Sequence, residues 1–286
     1  MKINHRNMKL YRTTKGIIAE QAGYYFPINT SADWDTYVND DNLYKKLKQD
    51  ILEANPMEEG TEVSSMQLLA PVKNQEIWAS GVTYYRSKLG RQEESKDSGG
   101  ATFYELVYHA DRPELFLKAL GHRAVGHGEK VRIRKDSTWD VPEPELTLLV
   151  TSSGKIVGYT IGNDMSSRSI EGENPLYLPQ AKIYDKSAAV GPCILVTEEP
   201  LSQSTQITLK IVRDSGVVFE DSISISQIKR KFDDLVRYLF LEYSFPHGAL
   251  LMTGTGIVPD SSFTLRSGDE INISVEGIGT LTNTVE

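Results

Sequence analysis

Strand-like alternation of apolar and polar positions dominates the chain from Leu68 onward. Glu76 to Val82, Ala124 to Arg134, Leu146 to Val150, Ile156 to Ile161, Ala188 to Val196, Ile207 to Arg213, Val217 to Ser222 and Ile271 to Val275 all predict β-strands. Thr151-Ser152-Ser153-Gly154-Lys155 and Asp214-Ser215-Gly216 predict hairpin turns, each with a glycine for the positive φ. Helical spacing appears at Thr102 to His109 and at Ser226 to Leu241, where Ile228, Phe232, Leu235 and Leu239 share one face. Before Leu68 the pattern differs. Short strands are predicted at Met8 to Tyr11, Gly16 to Ala19 and Tyr24 to Ile28. A helix is predicted from Asp41 to Leu52 behind an Asp/Asn cap, closed by Asn55-Pro56 and the Glu58-Glu59-Gly60 turn. The expectation is an α+β, mainly β chain, with a small α/β N-terminal domain over residues 1–68 and a β-rich domain over 69–286. Ser87 to Gly100 is rich in charge, Ser and Gly and has only Leu89 to bury, which predicts a mobile loop, either a lid or a surface insertion.

Composition narrows the function classes. Hydrophobic residues make up 39% of the 286 and charged residues 24%, the balance of a soluble globular protein. A net charge of -8 argues against nucleic acid or anionic membrane as the main partner, since both require concentrated Lys and Arg. A small anionic substrate still fits, because a bound Mg²⁺ reverses the local charge. Cys193 is the sole cysteine, which excludes an intrachain disulfide and a thiolate zinc cluster; its apolar run predicts a core position. No apolar run is long enough to span a bilayer, and Met1 to Arg12 lacks the apolar core of a signal peptide, so the expected location is the cytoplasm.

Candidate chemistry begins at Pro142-Glu143-Pro144-Glu145 and Asn163-Asp164. Residues two apart on an extended segment point to the same face, and paired carboxylates repel unless a cation sits between them. Asp164 follows a strand, turn and strand and returns to the same place. The apolar flanks Val141 and Leu146 to Val150 bury the set, where unpaired carboxylates are costly. Glu143, Glu145 and Asp164 are therefore candidate metal ligands, for Mg²⁺ first and Mn²⁺ or Ca²⁺ as alternatives. Lys182 is a candidate base if it lies beside that cation, and a surface lysine otherwise. Glu114, in a stretch where Leu115 and Leu117 alternate with Phe116 and Lys118, reads either as an acid or base or as an exposed turn carboxylate. Thr253-Gly254-Thr255-Gly256 reads as a tight turn or as backbone N–H groups offered to a carboxylate. The five histidines form no zinc-binding pair, and no Gly-x-Ser-x-Gly, phosphate loop or Gly-x-Gly-x-x-Gly is present.

Taken in order, Glu143-Pro144-Glu145, Asn163 to Arg168, Lys182 to Gly191-Pro192, Thr253-Gly254-Thr255 and Leu265 to Asp269 resemble the motifs of the fumarylacetoacetate hydrolase superfamily, over about residues 70 to 286. The resemblance implies a mixed β-roll catalytic domain, a divalent metal on Glu143, Glu145 and Asp164 with Lys182 beside it, and a homo-oligomer, dimer or tetramer. It also implies a substrate whose 2-keto acid unit chelates the metal. Hydrolytic members of the superfamily carry a His and a Glu that activate water; here Ser87 and Gly90 stand at those places, and neither is an effective general base.

Arg112-Pro113-Glu114, Val125 to Glu129, Glu173 to Gln180 and Lys182-Ile183-Tyr184 look more like the branch of 2-keto-3-deoxy-D-arabinonate dehydratases. That branch implies removal of water from a 2-keto-3-deoxy sugar acid, through an enolate that the metal stabilises, to give 2,5-dioxopentanoate. Lys182 and Glu114 would share the proton transfers, and Ser80, Tyr84, Arg112, Gly254 and Thr255 are the expected substrate contacts. The alternative is a hydrolase that cleaves a carbon–carbon bond of an acylpyruvate or fumarylpyruvate.

Overall fold

The computed structural model describes residues 7–61, 66–94 and 101–286. Strands β1 (Met8–Thr13), β2 (Gly16–Gln21) and β3 (Tyr24–Pro27) form an antiparallel meander, followed by α1 (Trp34–Val38) and α2 (Leu43–Glu53). Leu43, Leu47 and Ile51 make the single buried stripe of α2, as the four-residue spacing predicts. Next come β4 (Glu76–Gly81), α3 (Tyr85–Glu94), α4 (Ala101–His109) and β5 (Glu114–Leu120). Two short strands, β6 (Lys130–Val131) and β7 (Asp140–Val141), precede the long hairpin of β8 (Pro144–Val150) and β9 (Ile156–Asp164). The chain continues through β10 (Ser166–Ser167), α5 (Arg168–Glu173), α6 (Leu178–Lys182), β11 (Ala188–Val196), β12 (Gln206–Arg213) and β13 (Gly216–Ser224). It ends with α7 (Phe232–Leu239), β14 (Ala249–Met252), β15 (Glu270–Val275) and β16 (Gly279–Val285).

Fourteen of these strands form two large mixed sheets, and β7 pairs with β10 in a separate antiparallel ladder. One large sheet has nine strands in the order β3-β2-β1-β11-β9-β8-β14-β4-β5, and the other has five, β13-β12-β15-β16-β6. β14 runs parallel to β4 and β16 parallel to β6; the remaining pairs are antiparallel. Leu10 of β1 faces Ile194 of β11, so the first three strands extend the nine-stranded sheet. Alternate residues sort to its two faces. Leu10, Ala188, Val190, Leu250 and Met252 join the core under α1 and α2 with Trp34, Tyr37, Leu43 and Leu47. Tyr11, Leu146, Leu148, Ala189 and Leu251 join the core shared with Ile207, Leu209, Ile271 and Leu281 of the five-stranded sheet. Burial on both faces explains the continuous apolar runs of β8 and β11. Among the described residues no helix is long and apolar enough to cross a membrane.

Four expectations need correction. Most of Ser87 to Gly100 is helical, in α3; residues 95–100 lie outside the described residues. Leu89, the one apolar residue of that stretch, is exposed, whereas Lys88 and Arg91 are buried against Glu105 and Glu171. Of Ala124 to Arg134 only β6 is strand. A Cβ on Gly126 would lie 2.7 Å from the Ala70 nitrogen, and the Gly126 N–H donates to Glu129 at 2.5 Å, so the segment turns where a strand was predicted. The helix predicted from Ser226 begins at Phe232, because Ile228 bridges Tyr84 and the Lys229 N–H donates to the Thr83 carbonyl. In the second hairpin the positive φ falls on Asp214 and Ser215, not Gly216, as a two-residue turn with both central residues left-handed requires.

Candidate metal centre and catalytic site

Glu143 immediately precedes β8, Glu145 lies within it, and Asp164 ends β9. Pro144 pairs with Asn163 across the hairpin, and the Asp164 N–H donates to the Glu143 carbonyl at 3.0 Å. This register brings one oxygen from each of the three carboxylates within 4.8 Å of the others, all three buried. The Glu145 carboxylate accepts the Gly254 N–H at 2.6 Å. Burial, then the nearby Asp164 and Glu143, push the Glu145 carboxyl well above its ordinary range. Such a cluster is unfavourable by itself and becomes favourable around a divalent cation, since all three donors are hard oxygens. The residues fit a Mg²⁺-type ion.

Cations surround the cluster on its protein side. The fully buried Lys182 Nζ lies 2.6 Å from Glu143 Oε2, 3.1 Å from Asp164 Oδ2 and 2.5 Å from Ser166 Oγ. Burial disfavours its ammonium, but Asp164 and Glu143 outweigh burial and raise its pKa. The Glu143 carboxyl is held low: burial opposes ionisation, and Lys182, Arg91 and Arg168 together overcome it. Arg168 of α5 reaches Glu143 at 3.5 Å, and Arg91 of α3 pairs with the buried Glu171 of α5. Lys118 of β5, also fully buried, contacts Asp164 Oδ1 at 2.6 Å. Its ammonium is disfavoured by burial, which the attraction of Asp164 only partly offsets.

A small cavity of about 20 Å³ opens onto this cluster, bordered by Ser80, Ser87, Arg91, Phe116, Arg168 and Thr255. That is room for a water or an ion and too little for a sugar acid. A much larger cavity, about 700 Å³, lies elsewhere, between Ser153–Tyr159 and Lys229–Asp233, and contains none of the three carboxylates.

The other expected site residues divide into two groups. Ser80 and Thr255 border the cavity. Gly254 offers its N–H to Glu145 rather than to a guest; its φ of +92°, and the 2.0 Å at which a Cβ would meet Thr83 Oγ1, require glycine there. Tyr84 is buried and does not border the cavity, its ring against Gly256. Arg112 is exposed and stacks over the Tyr238 ring, 5.3 Å from its centroid, away from the cavity. Glu114 faces Gly81 across the β4–β5 pair, and a Cβ on Gly81 would sit 1.9 Å from Glu114 Oε2. That oxygen is buried without a hydrogen-bond partner. Ser87 Oγ donates to the Tyr84 carbonyl at 2.8 Å and accepts the Tyr84 N–H at 3.2 Å, so it is occupied in starting α3. Lys118, Arg91 and Glu171 are site residues that the sequence did not reveal. A lysine on the alternating face of β5 was the only signal any of them offered.

The fold and the carboxylate cluster define a class. The fumarylacetoacetate (FAA) hydrolase C-terminal family model matches residues 92–286, and the chain belongs to this family. A probable 2-keto-3-deoxyxylonate dehydratase of Haloferax volcanii is 48% identical over 216 residues, 75% of this chain and 73% of that protein. A 2-dehydro-3-deoxy-D-arabinonate dehydratase of Saccharolobus solfataricus is 43% identical over 79% of this chain and 76% of its own length. Among solved structures, a 2-keto-3-deoxy-D-arabinonate dehydratase complexed with magnesium and 2,5-dioxopentanoate superposes with a TM-score of 0.82 at 35% identity, covering 98% of each chain.

Proposed function

We propose that this chain is a Mg²⁺-dependent dehydratase that converts a 2-keto-3-deoxy sugar acid of the arabinonate type to 2,5-dioxopentanoate. The observation that carries the reading is the buried triad of Glu143, Glu145 and Asp164 with Lys182 at 2.6 Å from it, in a chain whose relatives are named for this reaction. Glu143, Glu145 and Asp164 would hold a divalent cation, which would supply Lewis-acid stabilisation of the negative charge that develops as the carbon-3 proton leaves. The chain's own groups do the rest. Arg168 and Arg91 present positive charge to an anionic substrate beside the triad. Lys182 and Glu114 divide the two proton transfers: one takes the carbon-3 proton, and the other protonates the carbon-4 hydroxyl, which leaves as water. Tautomerisation of the resulting unsaturated acid gives the semialdehyde.

Ser80 and Thr255 are the proposed polar contacts to substrate. Arg112, exposed over the Tyr238 ring, does not border this cavity. Water activation for carbon–carbon cleavage has no support at positions 87 and 90. Ser87 is hydrogen-bonded to Tyr84, and Gly90 packs where a Cβ would meet Val258 at 3.0 Å. Because the cavity is too small for the substrate, entry requires the wall that α3 supplies through Ser87 and Arg91 to move. The reading includes a cytoplasmic homo-oligomer, dimer or tetramer, for which exposed Phe103, Leu106 and Leu176 offer apolar contact area.

The test is direct. Incubation with 2-keto-3-deoxypentonates and Mg²⁺ should yield 2,5-dioxopentanoate, and chelator should stop it. Lys182→Met should abolish turnover while leaving a folded protein. Full activity in that variant, or turnover unaffected by chelator, would refute the assignment.

A further inference from the structure

Lys118 sits at a point where three parts of the site meet. Its ammonium, with no exposed surface, lies 2.6 Å from Asp164 Oδ1 and donates to the carbonyls of Met165 at 2.8 Å and Lys182 at 2.5 Å. The ammonium therefore pairs by charge with the carboxylate at the end of β9 and hydrogen-bonds two carbonyls, one just beyond β9 and one at the last residue of α6. The Lys182 carbonyl is the terminal carbonyl of a five-residue helix, a group with no partner inside the helix. It also accepts Ser187 Oγ at 2.9 Å.

An ammonium removed from water is costly unless it is fully compensated, so a lysine in this place has a purpose beyond filling space. Its contact with Asp164 Oδ1 leaves Oδ2 turned toward Lys182 Nζ at 3.1 Å. The same ammonium ties down the backbone from which the Lys182 side chain springs. Lys118 does not border the cavity and so does not touch a guest.

We infer that Lys118 is a positioning residue: it fixes which oxygen of Asp164 faces the cation site and holds the Lys182 backbone so that Nζ stays against the triad. The inference rests on the metal-centre reading of Glu143, Glu145 and Asp164, but not on the identity of the substrate. Lys118→Met keeps the length of the side chain and loses all three contacts; Lys118→Gln keeps a neutral donor. Mn²⁺ serves as the probe, its affinity measured by electron paramagnetic resonance on protein shown to be folded by circular dichroism and a cooperative melt.

Mn²⁺ affinity should fall about 10- to 100-fold in Lys118→Met, the loss typical when a group that orients a ligand is removed. The fall should be smaller in Lys118→Gln, and kcat should drop more than KM rises. Wild-type Mn²⁺ affinity in folded Lys118→Met overturns the proposal. Failure of both variants to fold also overturns it, by assigning Lys118 to the folding core. If the wild type binds Mn²⁺ and Lys118→Met does not, but neither dehydrates a 2-keto-3-deoxypentonate, the dehydratase reading fails and the positioning role stands.

Discussion

Glu145 and Asp269 are both buried carboxylates, and each accepts a backbone N–H, from Gly254 at 2.6 Å and from Arg266 at 2.8 Å. Their remaining surroundings are opposite. Asp269 receives a two-pronged guanidinium from Arg213, at 2.7 Å on each oxygen, and Arg213 also donates to the Thr264 carbonyl. Both oxygens are hydrogen-bonded, and the charge is neutralised where it sits. Glu145 faces Asp164 and Glu143 instead, so its charged form is disfavoured. Asp269 joins the loop before β15 to β12 in the folded chain. Glu145 carries an unfavourable charge whose partner has to come from solution. Both belong to the motifs that carried the family resemblance, and only their neighbours separate a structural role from a metal-binding one.

The largest effect expected is on Glu145. Glu145→Gln should remove turnover and Mn²⁺ binding, while making the metal-free protein about 1–2 kcal/mol more stable to urea at pH 8, because one of three crowded negative charges is gone. A loss of stability in that variant would mean that Glu145 is a structural group like Asp269. Asp269→Ala should behave in the reverse way. Removing the carboxylate takes away three charge-assisted or backbone hydrogen bonds and leaves the half-buried Arg213 without its partner, at a cost of about 2–3 kcal/mol. Turnover per folded molecule, measured at low temperature, should be unchanged; a selective loss of kcat would erase the distinction between the two carboxylates.

How much of this was legible in the sequence follows the same division. Alternation marked strands with one buried face, such as β12 and β15, and continuous apolar runs marked β8 and β11, buried on both faces; β16, where Thr and Asn interrupt the apolar positions, and the four-residue β14 were not read as strands. Glu143 and Glu145 were readable because two carboxylates so close in an apolar strand repel each other and point to a cation between them. Lys118 and Arg91 were not. A polar residue is buried only where a partner compensates it, and their partners come from far along the chain. Lys118 meets carbonyls 47 and 64 residues away, and Arg91 meets Glu171. No local pattern carries that information. The same gap turned α3 into a predicted loop, since its buried face is made of Lys88 and Arg91 rather than of apolar residues.

Asp140, in β7, sharpens the comparison as a third case, a buried carboxylate with neither a bidentate partner nor two like charges against it. Burial raises its carboxyl to about 6, against a smaller pull downward from Ser137 and Arg134. Because the folded value lies above the unfolded one, the stability this group contributes is full below about pH 4. It is lost as the pH rises through about 6, and the penalty is constant above that. Asp140→Asn keeps the shape and cannot ionise. It should match the wild type in urea midpoint near pH 4, gain between pH 4 and 6, and settle about 1–3 kcal/mol more stable above. A difference that does not change with pH would show that hydrogen bonding, not desolvation, governs Asp140, and would place it with Asp269.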